Sequence, residues 1–278
     1  MIRKLIKSIY NSTCAWMYPV AGKRPWKLGY VPYKFLKIRQ AIDNVALSMA
    51  SLPRGYGYRL DERVIEYPWF YSLLPASEGK LLDAGSILNY SFLLDHKKLL
   101  NKEVFISTLA PEESCYWNKR NGVSYIFEDL RDSGFKSNNF DWVVSLSTIE
   151  HVGLDNTMLY TQDETKRESQ NDGYLSAIRE FKRVLKPGGK LYLSMPFGVH
   201  SKRGWFQIFN ARMVDEVIKE FSPSTLSESY YRYVPDGWEN SNRQDAKDAT
   251  YFDIHTEKKY GQDYAAASRA VVCLELTK

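Results

Sequence analysis

The sequence predicts an α/β fold built on a mostly parallel sheet with helices on both faces. Three stretches carry that expectation: Lys80-Leu-Leu-Asp-Ala-Gly85, Phe140-Asp-Trp-Val-Val-Ser-Leu-Ser-Thr-Ile-Glu-His151 and Leu185-Lys-Pro-Gly-Gly-Lys-Leu-Tyr-Leu193. Each is a short apolar run that closes on small, polar or acidic residues, and their spacing is that of successive β-α units. Such ends define the carboxyl edge of a parallel sheet, where open α/β folds place their ligands.

The elements follow in order. Residues 1–59 form a basic arm rich in aromatics, Pro and Gly (Trp26, Tyr30, Pro32, Tyr33, Tyr56, Tyr58), with one helix expected over 34–49. Residues 60–278 are expected to form the main domain. A helix over 61–75 leads to a first strand at 80–84. A helix near 91–99, a strand at 103–107, a helix over 111–119 and strands at 123–128 and 140–146 come next. Strand–helix alternation of this kind favours a parallel sheet covered on both faces. The polar stretch Asp155 to Asp172 reads as a loop or lid over the sheet edge. A helix over 173–185 places Leu175, Ile178, Phe181 and Val184 on one face, and Pro187-Gly188-Gly189 stops it before a strand at 190–195. A helix over 208–220 and strands at 225–234 and 270–276 end the chain. Residues 235–269 are expected to be an inserted flap that touches substrate, since a long polar insertion carrying Trp238 with neighbouring amides and carboxylates suits a sugar ring, the alternative being a packed surface loop.

Composition narrows the class. Three cysteines, Cys14, Cys115 and Cys273, are too few and too scattered for a disulfide framework, so a reducing, cytoplasmic setting is expected. No run approaches the roughly 20 apolar residues that cross a bilayer. Residues 1–40 hold nine basic side chains and no acid, while the rest of the chain is mildly acidic. Ile2, Leu5, Ile6, Ile9 and Tyr10 fall near one helical face beside lysines, the pattern of an interfacial helix or of a segment that docks on the domain. Attraction to anionic lipid, at about 1 kcal/mol per basic residue near the surface, could hold the protein peripherally at the inner membrane surface. Nucleic acid is disfavoured as a partner, because the basic residues lack a reading motif.

The three stretches together resemble the class I S-adenosylmethionine-dependent methyltransferases, chiefly over residues 78–200. Within that family, Asp83-Ala-Gly-Ser-Ile-Leu-Asn-Tyr90 and Ser107-Thr-Leu-Ala-Pro-Glu112 are similar to sequences encoded with polysaccharide and glycan biosynthesis genes. The resemblance implies a three-layer Rossmann-like fold with a mostly parallel seven-stranded sheet and an antiparallel last strand. It implies S-adenosylmethionine as cofactor, held by Asp83, Gly85, Ser86 and Asn89 at the first turn, Asp129 and Leu130 beside the adenine, and Ser145 at the end of the fourth strand. Two departures stand out. Ile87 and Asn89 replace the second and third glycines of the usual run, and the acid that binds the ribose is absent, leaving Thr108 at the strand end with Glu112 nearby.

Glu150-His151 bears on catalysis. A sugar hydroxyl is a poor nucleophile, so its methylation benefits from a base, and histidine suits proton transfer near neutral pH. The pair is the expected catalytic site; the alternatives for the same His are to orient the turn or to bind a metal. No metal is expected, because Ser147 stands where a Glu-x-x-Glu-His pattern needs its first Glu, and His200 or His255 would have to come from elsewhere. Asp155, Asn156, Tyr160 and Trp238 are the candidate acceptor contacts. A nicotinamide-dependent dehydrogenase is excluded by the lack of Gly-x-Gly-x-x-Gly, and a base-directed amine methyltransferase by Ser-Leu-Ser-Thr after the fourth strand. The expected activity is O-methyl transfer to a sugar or glycan acceptor, including a lipid-linked one. The alternative is a degenerate member that binds glycan without catalysis.

Overall fold

The computed structural model describes residues 13–111, 122–161 and 163–278. The expected helix at 2–10, most of that at 111–119, Glu112 and Cys115 lie outside them. The elements are α1 (Tyr30–Asp43), α2 (Arg63–Leu73), β1 (Gly79–Ala84), α3 (Ser91–Leu94), β2 (Lys102–Thr108), β3 (Val123–Phe127), β4 (Phe140–Leu146), α4 (Thr157–Tyr160), α5 (Gly173–Val184), β5 (Leu185–Pro196), α6 (Ala211–Phe221), β6 (Thr225–Val234), β7 (Gly237–Ser241), α7 (Arg243–Ala246) and β8 (Ala270–Thr277). Eight strands form one sheet in the order β3-β2-β1-β4-β5-β8-β6-β7, a mostly parallel Rossmann-like arrangement with antiparallel C-terminal strands. The eighth strand is the difference from expectation. Pro235-Asp236 turns the chain so that Val234 pairs with Gly237, and β7 returns antiparallel along β6.

The chain divides into two compact units, residues 74–229 with 272–278, and residues 1–73 with 230–271. In the first, β1 lies between β2 and β4, all parallel, with Leu81 opposite both Val104 and Trp142. Leu81, Leu82, Asp83 and Ala84 are all buried, as befits a strand covered on both faces. Asp141 ties the lower ends together: it accepts from the Lys80 amide at 2.8 Å and pairs with Lys186 at 2.7 Å. The Pro187-Gly188-Gly189 stretch is a bulge inside β5 rather than a break before it. Phe140 pairs with Leu185 and Trp142 with Lys190, and the bulge is held by Gly188 donating to Lys278 and Lys278 to Gly189. α5 buries Tyr174, Ala177, Ile178, Phe181 and Val184, so its inner face is rotated from the expected one and Leu175 sits at its margin. The expected helix at 91–99 shrinks to the single turn of α3.

In the second unit the described residues of the arm, α2 and the inserted segment come together. Trp26 donates to the Ala266 carbonyl, Tyr260 to that of Pro25, and the Leu52 amide to Asn240. Buried Asp61 accepts from Tyr30 and Lys34. Beside it, burial and then the charges of Asp61 and Glu66 push the Glu62 carboxyl up to about 7. Trp238 is 1% exposed, and its indole N–H donates to the Leu60 carbonyl at 2.9 Å. That corrects its expected role: the ring is a core anchor and offers no face to a sugar. No described helix is long and apolar enough to cross a membrane.

Candidate active site

The site lies on the unit of residues 74–229 and 272–278, at the carboxyl ends of β1 to β5. Asp83 is fully buried, with Oδ1 accepting from the Ile87 amide at 3.0 Å and Oδ2 from the Leu88 amide at 2.8 Å. Each buried amide left without its acceptor would cost about 1–3 kcal/mol. Asp83 therefore braces the turn from within instead of reaching a ligand as expected. Above it Gly85 has φ 120° and Ser86 φ 61°, backbone that side chains other than glycine rarely adopt. A Cβ on Gly85 would fall 2.9 Å from the Thr148 Cβ and closer still to its Oγ1 and Cγ2. The absent side chain lets the Thr148 side chain, just past β4, pack directly on the Gly85 backbone.

Asn89 fills the place of a third glycine without closing the edge. Its amide donates to Ser86 Oγ at 3.1 Å and accepts from Tyr125 at 2.8 Å, and the residue is 2% exposed. The side chain is thus spent on tying the turn to β3. Thr108 is buried at the end of β2. The missing acid of β2 has a neighbour the sequence did not reveal. Glu128 accepts from Ser107 Oγ at 3.2 Å and from the Gly134 amide at 2.9 Å, which brings a carboxylate across from β3 to the end of β2.

Asp129 and Leu130 follow β3 as expected. Both Asp129 oxygens accept from Arg131, whose guanidinium also pairs with Glu168 at 2.6 Å. Burial raises the Asp129 carboxyl, but the Arg131 hydrogen bonds and charge outweigh it and hold it below the ordinary range. Arg131 thereby links the strand end to the polar stretch 155–172. That stretch is more ordered than a plain loop, with α4 and a 3-10 turn at Glu164–Lys166.

Ser145 is fully buried within β4, and among the described residues its hydroxyl has no hydrogen-bond partner, so what it could offer a ligand is backbone, as expected of this strand end. β4 is followed by buried Ser147 and half-buried Thr148, which lead into a 3-10 turn at Ile149–His151. There Glu150 is buried, and its Oε1 is 3.9 Å from His151 Nε2. His151 Nδ1 is 2.9 Å from the Trp205 carbonyl. A carbonyl accepts only, so in the neutral ring Nδ1 carries the hydrogen and Nε2 the lone pair. The Trp205 indole stacks on the imidazole, with centroids 4.8 Å apart and planes at 26°.

Trp205 was not among the expected site residues. It sits at the tip of a small hairpin in which Lys202 pairs with Gln207, and the Gln207 amide donates to the Glu150 carbonyl at 3.1 Å. The only local signal was Arg203-Gly204-Trp205, a turn-compatible glycine before an aromatic.

Of the remaining acceptor candidates, Asn156 donates to the carbonyls of His151 at 2.6 Å and Leu154 at 2.8 Å, which fixes the turn carrying the imidazole. Asp155 accepts from Thr157 and pairs with Arg167 at 3.3 Å. The Thr157 hydrogen bonds hold its carboxyl below the usual value. Tyr160 is 37% exposed on α4. Among the described residues no three His, Cys, Asp or Glu side chains converge as metal ligands.

No curated protein sequence matches this chain. Solved structures similar in fold include the Burkholderia thailandensis 1,6-didemethyltoxoflavin-N1-methyltransferase with bound 1,6-didemethyltoxoflavin and S-adenosylhomocysteine (11% identity, 99% of this chain and 90% of that one, TM-score 0.48). They include the Haemonchus contortus phosphoethanolamine N-methyltransferase 2 (15%, 73% and 49%, 0.45) and an arsenic(III) S-adenosylmethionine methyltransferase of Chlamydomonas reinhardtii (14%, 87% and 73%, 0.43). At such identities the likeness does not extend to an acceptor. Residues 98–193, from the approach to β2 into β5, match the family model described as a methyltransferase domain, and the cofactor this match indicates is S-adenosylmethionine.

Proposed function

We propose that the chain is an S-adenosylmethionine-dependent O-methyltransferase whose acceptor is a hydroxyl of a sugar or glycan. The residues present fit the cofactor. The Gly85-Ser86 turn has the positive-φ backbone of a tight turn at the end of β1, and Glu128 offers a carboxylate for ribose hydroxyls. Leu130 and Asp129 stand where the adenine would rest, with Arg131 able to hold Glu168 while Asp129 accepts an amino group. S-adenosylmethionine supplies an electrophilic methyl group on a positively charged sulfur.

The observation that carries the reading is His151. Its Nδ1–H is held by the Trp205 carbonyl, so Nε2 is the lone-pair nitrogen that can take the acceptor's proton. The Trp205 ring beside it provides an apolar surface suited to the C–H face of a pyranose. General-base help is worth about 10²–10⁴-fold, and alignment of the reactants about 7–11 kcal/mol, so positioning dominates and the imidazole adds to it. Labelled methyl transfer to a panel of sugars, sugar nucleotides and glycans tests this. An O-methyl product located by NMR and formed in the presence of chelator is the expected result, whereas label found only on nitrogen or carbon acceptors would contradict it.

The arm supports a location for this chemistry. Residues 13–20 are helical, and Trp16 (73% exposed), Met17 and Val20 (77%) share its outer face. Lys23, Arg24 and Lys27 follow. Apolar anchors beside basic side chains suit an anionic bilayer surface. The protein should sediment with phosphatidylglycerol vesicles, less so in high salt, and Trp16→Ser with Val20→Ser should weaken the association. Equal, salt-insensitive partitioning of both proteins between anionic and neutral vesicles would remove the membrane from the proposal.

A further inference from the structure

The unit of residues 1–73 and 230–271 holds a cavity of about 350 Å³. One wall is a face of α1, where Tyr33, Lys37 and Gln40 recur at helical spacing, continued by Asn44 just past its end. The other is the chain at 53–58, which contributes Tyr56 and Tyr58, with Lys23 beside them. Gly57 keeps that wall against the core: its φ is 61°, and a Cβ there would fall 2.9 Å from Trp238 Cδ1.

The charge of the lining is one-sided. Among the described residues Lys23 and Lys37 are the only ionised side chains that line it, and no acid does. Each ammonium lies over a ring of the same cavity, Lys23 at 5.3 Å from the Tyr58 centroid and Lys37 at 5.5 Å from that of Tyr33. Burial raises the Tyr33 phenol, which keeps it a neutral donor. Lys37 also donates to Gln40 at 3.1 Å. Arg59 also lies over the Tyr58 ring at 4.9 Å and Tyr18 packs on Tyr33 at 5.1 Å, so the walls offer the phenols of Tyr33 and Tyr58, the amide N–H groups of Gln40 and Asn44, and two positive charges without a carboxylate in the described lining.

We propose that this cavity binds an anionic sugar, a pyranose bearing a carboxylate or a phosphate. The Tyr33 and Tyr58 phenols with the Gln40 and Asn44 amides take the hydroxyls, and Lys23 and Lys37 the charge. The site belongs to a different unit from the His151 edge, and its existence does not depend on methyl transfer.

Calorimetry on the full chain tests it with four probes: glucuronate, glucose 1-phosphate, glucose and inorganic phosphate. The two anionic sugars should each bind at least about tenfold more tightly than glucose or phosphate, and Lys23→Glu with Lys37→Glu should weaken them by at least about tenfold. Binding of S-adenosylhomocysteine should be unchanged in that variant. Lys37→Gln alone, a milder change on an exposed side chain, should give a smaller loss and serves if the double variant folds poorly. Failure of both anionic sugars to bind, or binding that ignores the lysine changes, overturns the proposal. Binding of phosphate alone as tight as that of the sugars overturns the sugar assignment. Loss of S-adenosylhomocysteine binding in the unaltered protein would count against the proposed function and leave this site standing.

Discussion

His151→Ala should lower turnover by about 10²–10⁴-fold while cofactor affinity changes little. The expectation rests on the Nδ1 contact to the Trp205 carbonyl, which presents Nε2 as the only ring nitrogen able to accept a proton. The unaltered enzyme should gain activity with rising pH as the imidazole loses its proton, and the variant should lose that dependence. A purely orienting role would show differently. Asn156 grips the same turn through the His151 carbonyl, so a structural histidine would lose cofactor affinity or thermal stability along with turnover. A folded His151→Ala protein with near-normal turnover would falsify the base assignment and leave alignment as the source of rate. Steady-state kinetics across pH, paired with calorimetry, reads all of these outcomes.

Gly85→Val should abolish measurable cofactor binding. Two effects add. A β-branched residue at φ 120° stores about 1–3 kcal/mol of strain, and its Cβ would meet Thr148, which must move or push the turn outward. Both act on the backbone that lines the edge. Adding Thr148→Ala relieves the collision and leaves the backbone strain, so the double variant should recover binding only in part. A melting temperature for each protein separates loss of the site from loss of the fold. Near-normal affinity in a folded Gly85→Val protein would place the ligand elsewhere.

The central sheet was legible because its strands are covered on both faces and read as unbroken apolar runs. The observed β4, Phe140–Leu146, and β6, Thr225–Val234, coincide with the expected segments. β7 was missed because Gly237-Trp-Glu-Asn-Ser is short and mostly polar, and only its pairing with β6 makes it a strand. The Pro235-Asp236-Gly237 turn was the available signal. The same tertiary dependence explains the site. Gly85, Asp129, Glu150 and His151 follow strands whose ends were visible, so their placement at one edge could be anticipated.

What each side chain does there could not. Asp83 looked like a ligand contact, yet its oxygens are used on the Ile87 and Leu88 amides. Glu128 and Trp205 were invisible because each reaches the site across a strand or a hairpin, far from the motif it completes. Trp238 was assigned by composition alone, and an aromatic in a polar stretch is as readily a core anchor as a binding face.

The central claim is that the edge lined by Gly85, Glu128, Leu130 and Thr148 is a cofactor site. Calorimetric titration of the unaltered protein with S-adenosylhomocysteine tests it most directly. The account predicts saturable binding at one site per chain, lost in Gly85→Val and retained in His151→Ala. No binding to the folded protein at millimolar ligand, or binding that Gly85→Val leaves intact, would contradict it.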